Sequence, residues 1–267
     1  MIQFMTALES DDLVILSHHG PVATILMNSA ETGNAIDTPM RRALLDAVTE
    51  VAAMDEIRVV VLAGAGDAFS TGGDVGEMSN LTLAEAENLA RLQVRLLNAL
   101  AGLKKPVVAA IKGPCLGVGL EIALCADLRF ARDDARLGLP GINLGITPAG
   151  STALRLTQLI GAANARALLM TGSVIDAERA FGLGLVTAAL PQDEFDTALE
   201  QVAGHMASLS PVAVTELKGL LDLAQASAFK AADKAGITGF ANCYREGDAN
   251  NRWHSVMGQG TTPKNLH

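Results

Sequence analysis

Residues Val107 to Asp127 read VVAAIKGPCLGVGLEIALCAD: five apolar residues of strand type, a Gly-Pro pair, a glycine-spaced turn, and an apolar helical segment carrying one carboxylate, Glu121. This is a strand, a tight turn and a helix start. Gly113, Gly117 and Gly119 let the backbone turn sharply and approach a ligand without a Cβ in the way. The amides that open a helix have no intrahelical acceptor, so they can face an oxyanion. Ala68 to Met78 (AFSTGGDVGEM) has the same grammar, with the strand Val59 to Leu62 running into a loop that contains Thr71-Gly72-Gly73-Asp74. Two such loops can aim one amide each at a single carbonyl oxygen.

The chain around them alternates. Two strand-like segments, Leu13 to Ser17 and Val22 to Met27, flank His18-His19-Gly20-Pro21, which reads as a solvated hairpin turn rather than a metal or acid–base pair. A helix follows Asp37 or Thr38, with Pro39 in its first turn and Leu44, Val48 and Val51 on one face. Next come a strand at Arg58 to Ala63, an amphipathic helix over 84–101 with Leu89, Leu92, Leu96 and Leu100 aligned, the strand 106–112, a strand at Asp127 to Ala131 and an extended piece at Arg136 to Leu139. Strand, helix and strand in repeated alternation imply parallel pairing with right-handed crossovers, an α/β core of β-β-α units. From Pro148 the pattern is helical (151–160, 162–171, 176–181), with a last strand at Gly184 to Leu190 and Pro191 as a stop. The boundary is placed there: residues 1–191 as core and 192–267 as a helical region with helices near 193–209, 211–226 and 228–246 and a loose tail from Gly258 to Pro263. These helices carry more apolar surface than a small appendage buries alone, which implies packing on the core and on neighbouring copies.

A chain of 267 residues fits one large domain or a core with an appendage. No apolar run approaches the roughly 18 residues of a membrane span. Glu9, Asp11 and Asp12 leave no room for a signal peptide, so a cytoplasmic location is expected. Cys115, Cys125 and Cys243 are too scattered for a disulfide framework or a zinc site, and no metal is expected. The net charge of −9 disfavours nucleic acid and anionic membranes, and it obliges a polyanionic ligand to find a local basic patch.

Six segments in order resemble the signatures of the crotonase superfamily, the enoyl-CoA hydratase/isomerase family. They are Asn34-Ala35-Ile36, Phe69 to Asp74, Lys105-Pro106-Val107, Gly113 to Asp127, Leu137 to Gly145, and Leu169 to Gly172 leading to Ala180 through Val186. The resemblance spans nearly the whole chain. It implies a crotonase-like spiral with a C-terminal helical oligomerisation region, a homotrimer or hexamer (a dimer of trimers), and an acyl-CoA thioester substrate with CoA as its only cofactor-like part. Carried over residue by residue, the amides of Gly73 and Val118 would form an oxyanion hole, and Ser70, Thr71, Gly72, Asp74, Val75, Gly117 and Gly141 would border the substrate. Glu121 occupies the position of one of the two glutamates that family hydratases use, whereas Gly141 occupies the other. Ser29 and Gly76 stand where the family often carries arginine and lysine, which implies weaker CoA binding, offset by Lys218, Lys230 or Lys234.

A glycine delivers no proton, so two-carboxylate syn hydration is in doubt. Asn143, Thr147 and Ser151 lie in the same stretch, but none is an acid near neutral pH. Glu121 alone can serve isomerisation, thioester hydrolysis or an atypical hydration, while its bland reading is a helix-start carboxylate placed for the dipole. Asp74 and Asp127 read as structural acceptors of backbone N–H groups. Two rivals remain: a non-catalytic acyl-CoA-binding protein, and a cysteine hydrolase in which Gly113-Pro114-Cys115-Leu116-Gly117 is a nucleophile elbow served by His205, His254 or His267.

Overall fold

Strand residues that are apolar at every position need cover on both faces, and the computed structural model, which describes residues 10–223, 226–245 and 247–258, supplies it. The hairpin β1 (Val14–His19) and β2 (Val22–Met27) turns at Gly20-Pro21, leaving His18 and His19 exposed. The chain then forms α1 (Thr38–Ala53), β3 (Val59–Gly64), a single turn α2 (Val75–Met78), α3 (Leu83–Ala101), β4 (Val107–Ile111), β5 (Pro114–Leu116) and α4 (Val118–Ala123). It continues through β6 (Leu128–Arg132), β7 (Arg136–Gly138), α5 (Thr152–Thr171), β8 (Val174–Asp176), α6 (Ala177–Gly182) and β9 (Ala188–Leu190). Four helices close it: α7 (Gln192–Ser208), α8 (Pro211–Leu223), α9 (Ala226–Cys243) and α10 (Asp248–Gly258).

Strands β1-β2-β3-β4-β6-β9 make one sheet, parallel from β2 onward, and β5-β7-β8 make a second. Successive turns of chain contribute one strand to each, β4 then β5, and β6 then β7, which is the expected β-β-α repeat wound into a spiral. Alternate residues of the large sheet face opposite ways. Ala23, Ile25, Val60, Leu62, Val107 and Ala109 join the inner core with α1, α3 and α4, while Val22, Leu26, Val59, Val61, Val108 and Ala110 meet Phe195, Leu199 and Ala203 of α7.

Gly161, at φ 75°, breaks α5 between the two helices expected over 151–160 and 162–171. Other elements differ from the sequence expectation. The last strand is only Ala188–Leu190, because residues 184–187 turn at Gly184 (φ 78°) before joining β6. The stretch between residue 246 and the tail expected from Gly258, which the sequence reading gave no element, forms α10. Its Ala249 and Trp253, spaced one turn apart, are buried against Leu144, Ile146 and Phe240, a stripe too narrow to stand out among polar neighbours. Residues 259–267 lie outside the described residues.

Candidate active site

Ser70 stitches the two glycine loops together. Its N–H donates to the Pro114 carbonyl (2.9 Å), its carbonyl accepts from the Leu116 N–H (3.0 Å), and its hydroxyl donates to the Asn34 carbonyl (2.8 Å). Asn34, buried and at φ 56°, clamps the other side: its amide donates to the carbonyls of Ala65 and Ala68 and accepts from the Ser29 N–H. The loops therefore approach to van der Waals contact. A Cβ on Gly73 would lie 3.6 Å from Val118 Cγ2, and one on Gly119 would lie 2.7 Å from Ser70 Cβ.

This stitching leaves amides over at the start of α4 and in the facing loop. The Gly72 N–H is taken by the Ser70 hydroxyl (3.1 Å), and Gly72 O and the Asp74 N–H pair with Ile36 on either side of Gly73. Among the described residues neither the Gly73 N–H nor the Val118 N–H, the first of α4, has a hydrogen-bond acceptor. Both residues border a cavity of about 80 Å³, a pair of spare donors at one wall.

Glu121 sits one turn into α4 on the same wall, 5% exposed. Burial lifts its carboxyl from the ordinary 4.5 to about 7, against the pull of the Arg41 charge, the Ala149 N–H and the Gln93 amide. Gln93 Nε2 donates to Glu121 Oε2 (3.0 Å). It is the only ionisable side chain on the cavity wall, among the described residues.

Of the other residues read as substrate contacts, Thr71, Gly72, Val75, Gly117 and Gly141 border the cavity. Ser70 and Asp74 stand behind it; Asp74 caps α2 by accepting from the Glu77 N–H (2.7 Å), in line with its structural reading. Asp127 is likewise structural, accepting from the Val107 N–H and from Lys218 Nζ, each at 2.7 Å. That pairing removes Lys218 from the candidate CoA contacts, since its ammonium also donates to the Lys105 carbonyl. Gly141 lies in a 3-10 turn (Pro140–Leu144) opposite Ile146. Of the three hydroxyl or amide side chains nearby, only Thr147 reaches the cavity; Asn143 is exposed and Ser151 is buried, its hydroxyl accepting from Arg155.

Sequence reasoning passed over the far wall, made by Phe240, Trp253 and Val256 of the terminal helices, and the pair Arg41 and Gln93. The latter were detectable: Gln93 lies four residues after Leu89 and Arg41 three before Leu44, each a polar side chain on an apolar stripe. The cysteine-hydrolase reading fails on geometry. Cys115 lies within β5 rather than at the turn, is fully buried, and its thiol is pushed up by desolvation, so no thiolate is available. His205 is exposed on α7, His254 bonds Asn80, and His267 lies outside the described residues.

The paired loops, the spare amides and the spiral define a crotonase-type acyl-CoA enzyme, and comparison with known proteins agrees. The signature of the enoyl-CoA hydratase/isomerase family matches residues 17–250, and the chain belongs to that family. It is 34% identical over 202 residues to a crotonyl-CoA hydratase of Syntrophomonas wolfei, covering 75% of this chain and 78% of that one. A short-chain-enoyl-CoA hydratase of Clostridium acetobutylicum is also 34% identical, over 75% and 77%. Among solved structures, an enoyl-CoA hydratase from Mycobacterium avium subsp. paratuberculosis superposes with a TM-score of 0.84 at 26% identity, covering 94% of this chain and 98% of that one. Among the described residues no cluster of three or more His, Cys, Asp or Glu side chains could hold a metal, and no helix is long and apolar enough to cross a membrane.

Proposed function

We propose that this acyl-CoA-processing enzyme moves a double bond in a short enoyl thioester, with Glu121 carrying the proton and the Gly73 and Val118 amides holding the thioester oxygen. The observation that carries this reading is that Glu121 is the one ionisable group on the cavity wall among the described residues. The Glu121 carboxylate takes a proton from the α-carbon of a β,γ-unsaturated thioester. The electron pair left behind spreads into the carbonyl, and the charge rests on the oxygen between the two amides. When the carbonyl re-forms, the γ-carbon takes the same proton back from Glu121, leaving the α,β-unsaturated isomer. One carboxylate completes this cycle, whereas syn hydration needs a second group on the water, and Gly141 offers none. Each donor is worth roughly 3 to 4 kcal/mol of transition-state stabilisation in a dry pocket. The cavity, lined also by Phe240, Trp253 and Val256, holds only about 80 Å³, which favours a short acyl group.

The test is a comparison of rates on a β,γ-unsaturated hexenoyl-CoA, followed by growth of conjugated-enoyl absorbance, and on crotonyl-CoA, followed by its loss, with free CoA titrated alongside. Isomerisation is expected to be the faster. Faster hydration would favour the activity named for the relatives, CoA release a hydrolase, and binding without turnover a scaffold. Hydration is favoured as second reading by the names of the relatives. Gly141→Glu examines it, because a Cβ there would meet Ile146 Cγ1 at 3.0 Å, a side chain able to give way, and a restored carboxylate is expected to raise crotonyl-CoA hydration.

For CoA itself, Ser29 is committed to the Asn34 loop and Gly76 has no side chain, so the remaining candidate cations are Lys230 and Lys234, both exposed on α9. Titration calorimetry is expected to show CoA binding that weakens with salt and is lower than in a relative carrying both cations, each worth about 1 kcal/mol at an exposed site. Tight, salt-independent binding would contradict it.

The proposed assembly is a homotrimer or hexamer. Val212, Leu217, Leu220 and Leu221 of α8 are 59–70% exposed, an apolar patch that a neighbouring copy would cover. Light scattering at micromolar concentration is expected to give a trimer or hexamer mass, and Leu217→Glu with Leu220→Glu to give monomer; a monomeric parent protein would remove the proposal.

A further inference from the structure

Three side chains from three elements, Gln93, Arg41 and Glu77, form a chain of contacts behind Glu121, buried until the last of them. Glu77, at the α2 turn, accepts at Oε2 from Arg41 Nη1 of α1 (2.9 Å) and at Oε1 from the Thr38 N–H (2.9 Å). Arg41 Nε donates to Gln93 Oε1 of α3 (3.0 Å), and Gln93 Nε2 donates to Glu121 Oε2 of α4 (3.0 Å). Arg41 is 1% exposed and Gln93 2%, and neither borders the cavity. A guanidinium has only donors, so Arg41 permits one orientation of the Gln93 amide: oxygen toward itself, N–H toward the carboxylate. The reversed amide would face donor to donor and acceptor to acceptor.

We infer that Gln93 is a positioning residue for Glu121, its amide locked by Arg41 so that an N–H always meets Oε2, which favours the charged carboxylate and steers the base toward the cavity. The inference rests on the reading of Glu121 as the acid/base. A buried arginine whose counter-charge at its far end is 22% exposed is a costly way to brace two helices, and a bracing role alone would not require the donor to end on the one carboxylate described in the site. The charged and titratable groups facing Glu121 are Arg41 of α1, with Glu77 and Tyr244 beside it, and Cys125 in the turn just past the end of α4; α3 and the segment ending at Ala149 add only the neutral Gln93 and a backbone N–H.

The two ends of this chain act with opposite sign, which gives the test. Glutamate carboxyl NMR with isotope label, the Glu121 signal assigned by its loss in Glu121→Gln, reads the titration without any assumption about the reaction. Gln93→Met, of similar shape but without the donor, is expected to move the midpoint up by roughly one pH unit. Glu77→Gln, which leaves the Arg41 charge uncompensated, is expected to move it down by about half a unit. The pH profile of turnover should follow both shifts. A midpoint unchanged in a folded Gln93→Met would overturn the inference; if that variant does not fold, an unchanged or raised midpoint in Glu77→Gln would do so. Loss of activity in Glu121→Gln bears on the proposed function alone, so the two can fail separately.

Discussion

Glu121→Gln is expected to cut turnover of the best acyl-CoA substrate by roughly 10²- to 10⁴-fold, the usual loss when a general base is removed. Glutamine keeps the volume and can still accept from Gln93 Nε2, so the change isolates proton transfer from packing. In the parent enzyme the base form is needed, and turnover is expected to rise with pH through about 7 and then level off. Stability should move the other way. Because the folded protein holds this proton up to about 7 rather than 4.5, the unfolded chain binds fewer protons between those values, and stability falls as pH rises through that window. The fall attributable to this fully buried group is on the order of 3 kcal/mol. Chemical denaturation of parent and variant, at pH below ~4.5 and above ~7.5, should show the variant gaining relative to the parent only at the higher pH. Intact turnover in Glu121→Gln would move the base elsewhere and bring the acyl-CoA scaffold forward.

Gly119→Ala is expected to lower turnover by roughly 10²- to 10³-fold, the loss measured when one oxyanion-hole donor is removed. Alanine suits a helix start, so local propensity would favour the change. The added Cβ, however, would lie 2.7 Å from Ser70 Cβ and 3.1 Å from the Ser70 carbonyl, neither of which is a flexible side-chain end. The loops carrying the Gly73 and Val118 amides must separate, and the two donors no longer converge. Overpacking of this kind costs about 1–3 kcal/mol, so the variant should remain folded and its melting can be followed beside its rate. A loss below about threefold in a folded variant would show that these amides do not hold the oxyanion.

What the chain's order of residues determined by itself was local and periodic. Uninterrupted apolar runs at Val59 and Val107 announce strands, glycines at 113, 117 and 119 announce a turn against which another segment packs, and the carboxylate at 121 is conspicuous for lying in an apolar helix. Asp37 and Pro39 mark a helix start that the structure keeps. Short strands such as Pro114–Leu116 and Val174–Asp176 escaped, because three residues carry too little periodicity and become strands only when another segment offers its backbone groups. Trp253 escaped for a related reason: its burial depends on a cavity wall that includes Leu144 and Ile146, more than a hundred positions away.

Tertiary structure alone decided which amides are left without an acceptor. Spacing alone does not tell Gly72 from Gly73, yet the Ser70 hydroxyl takes the N–H of the first and that of the second has no acceptor among the described residues. It also turned Gln93 and Arg41, ordinary polar residues on two helix stripes, into the buried support of Glu121, and assigned Lys218 to Asp127. Spacing along a chain sets which face of an element a side chain occupies; which partner it meets across that face depends on how the spiral closes, and hydrogen bonds and desolvation act only over that final contact distance.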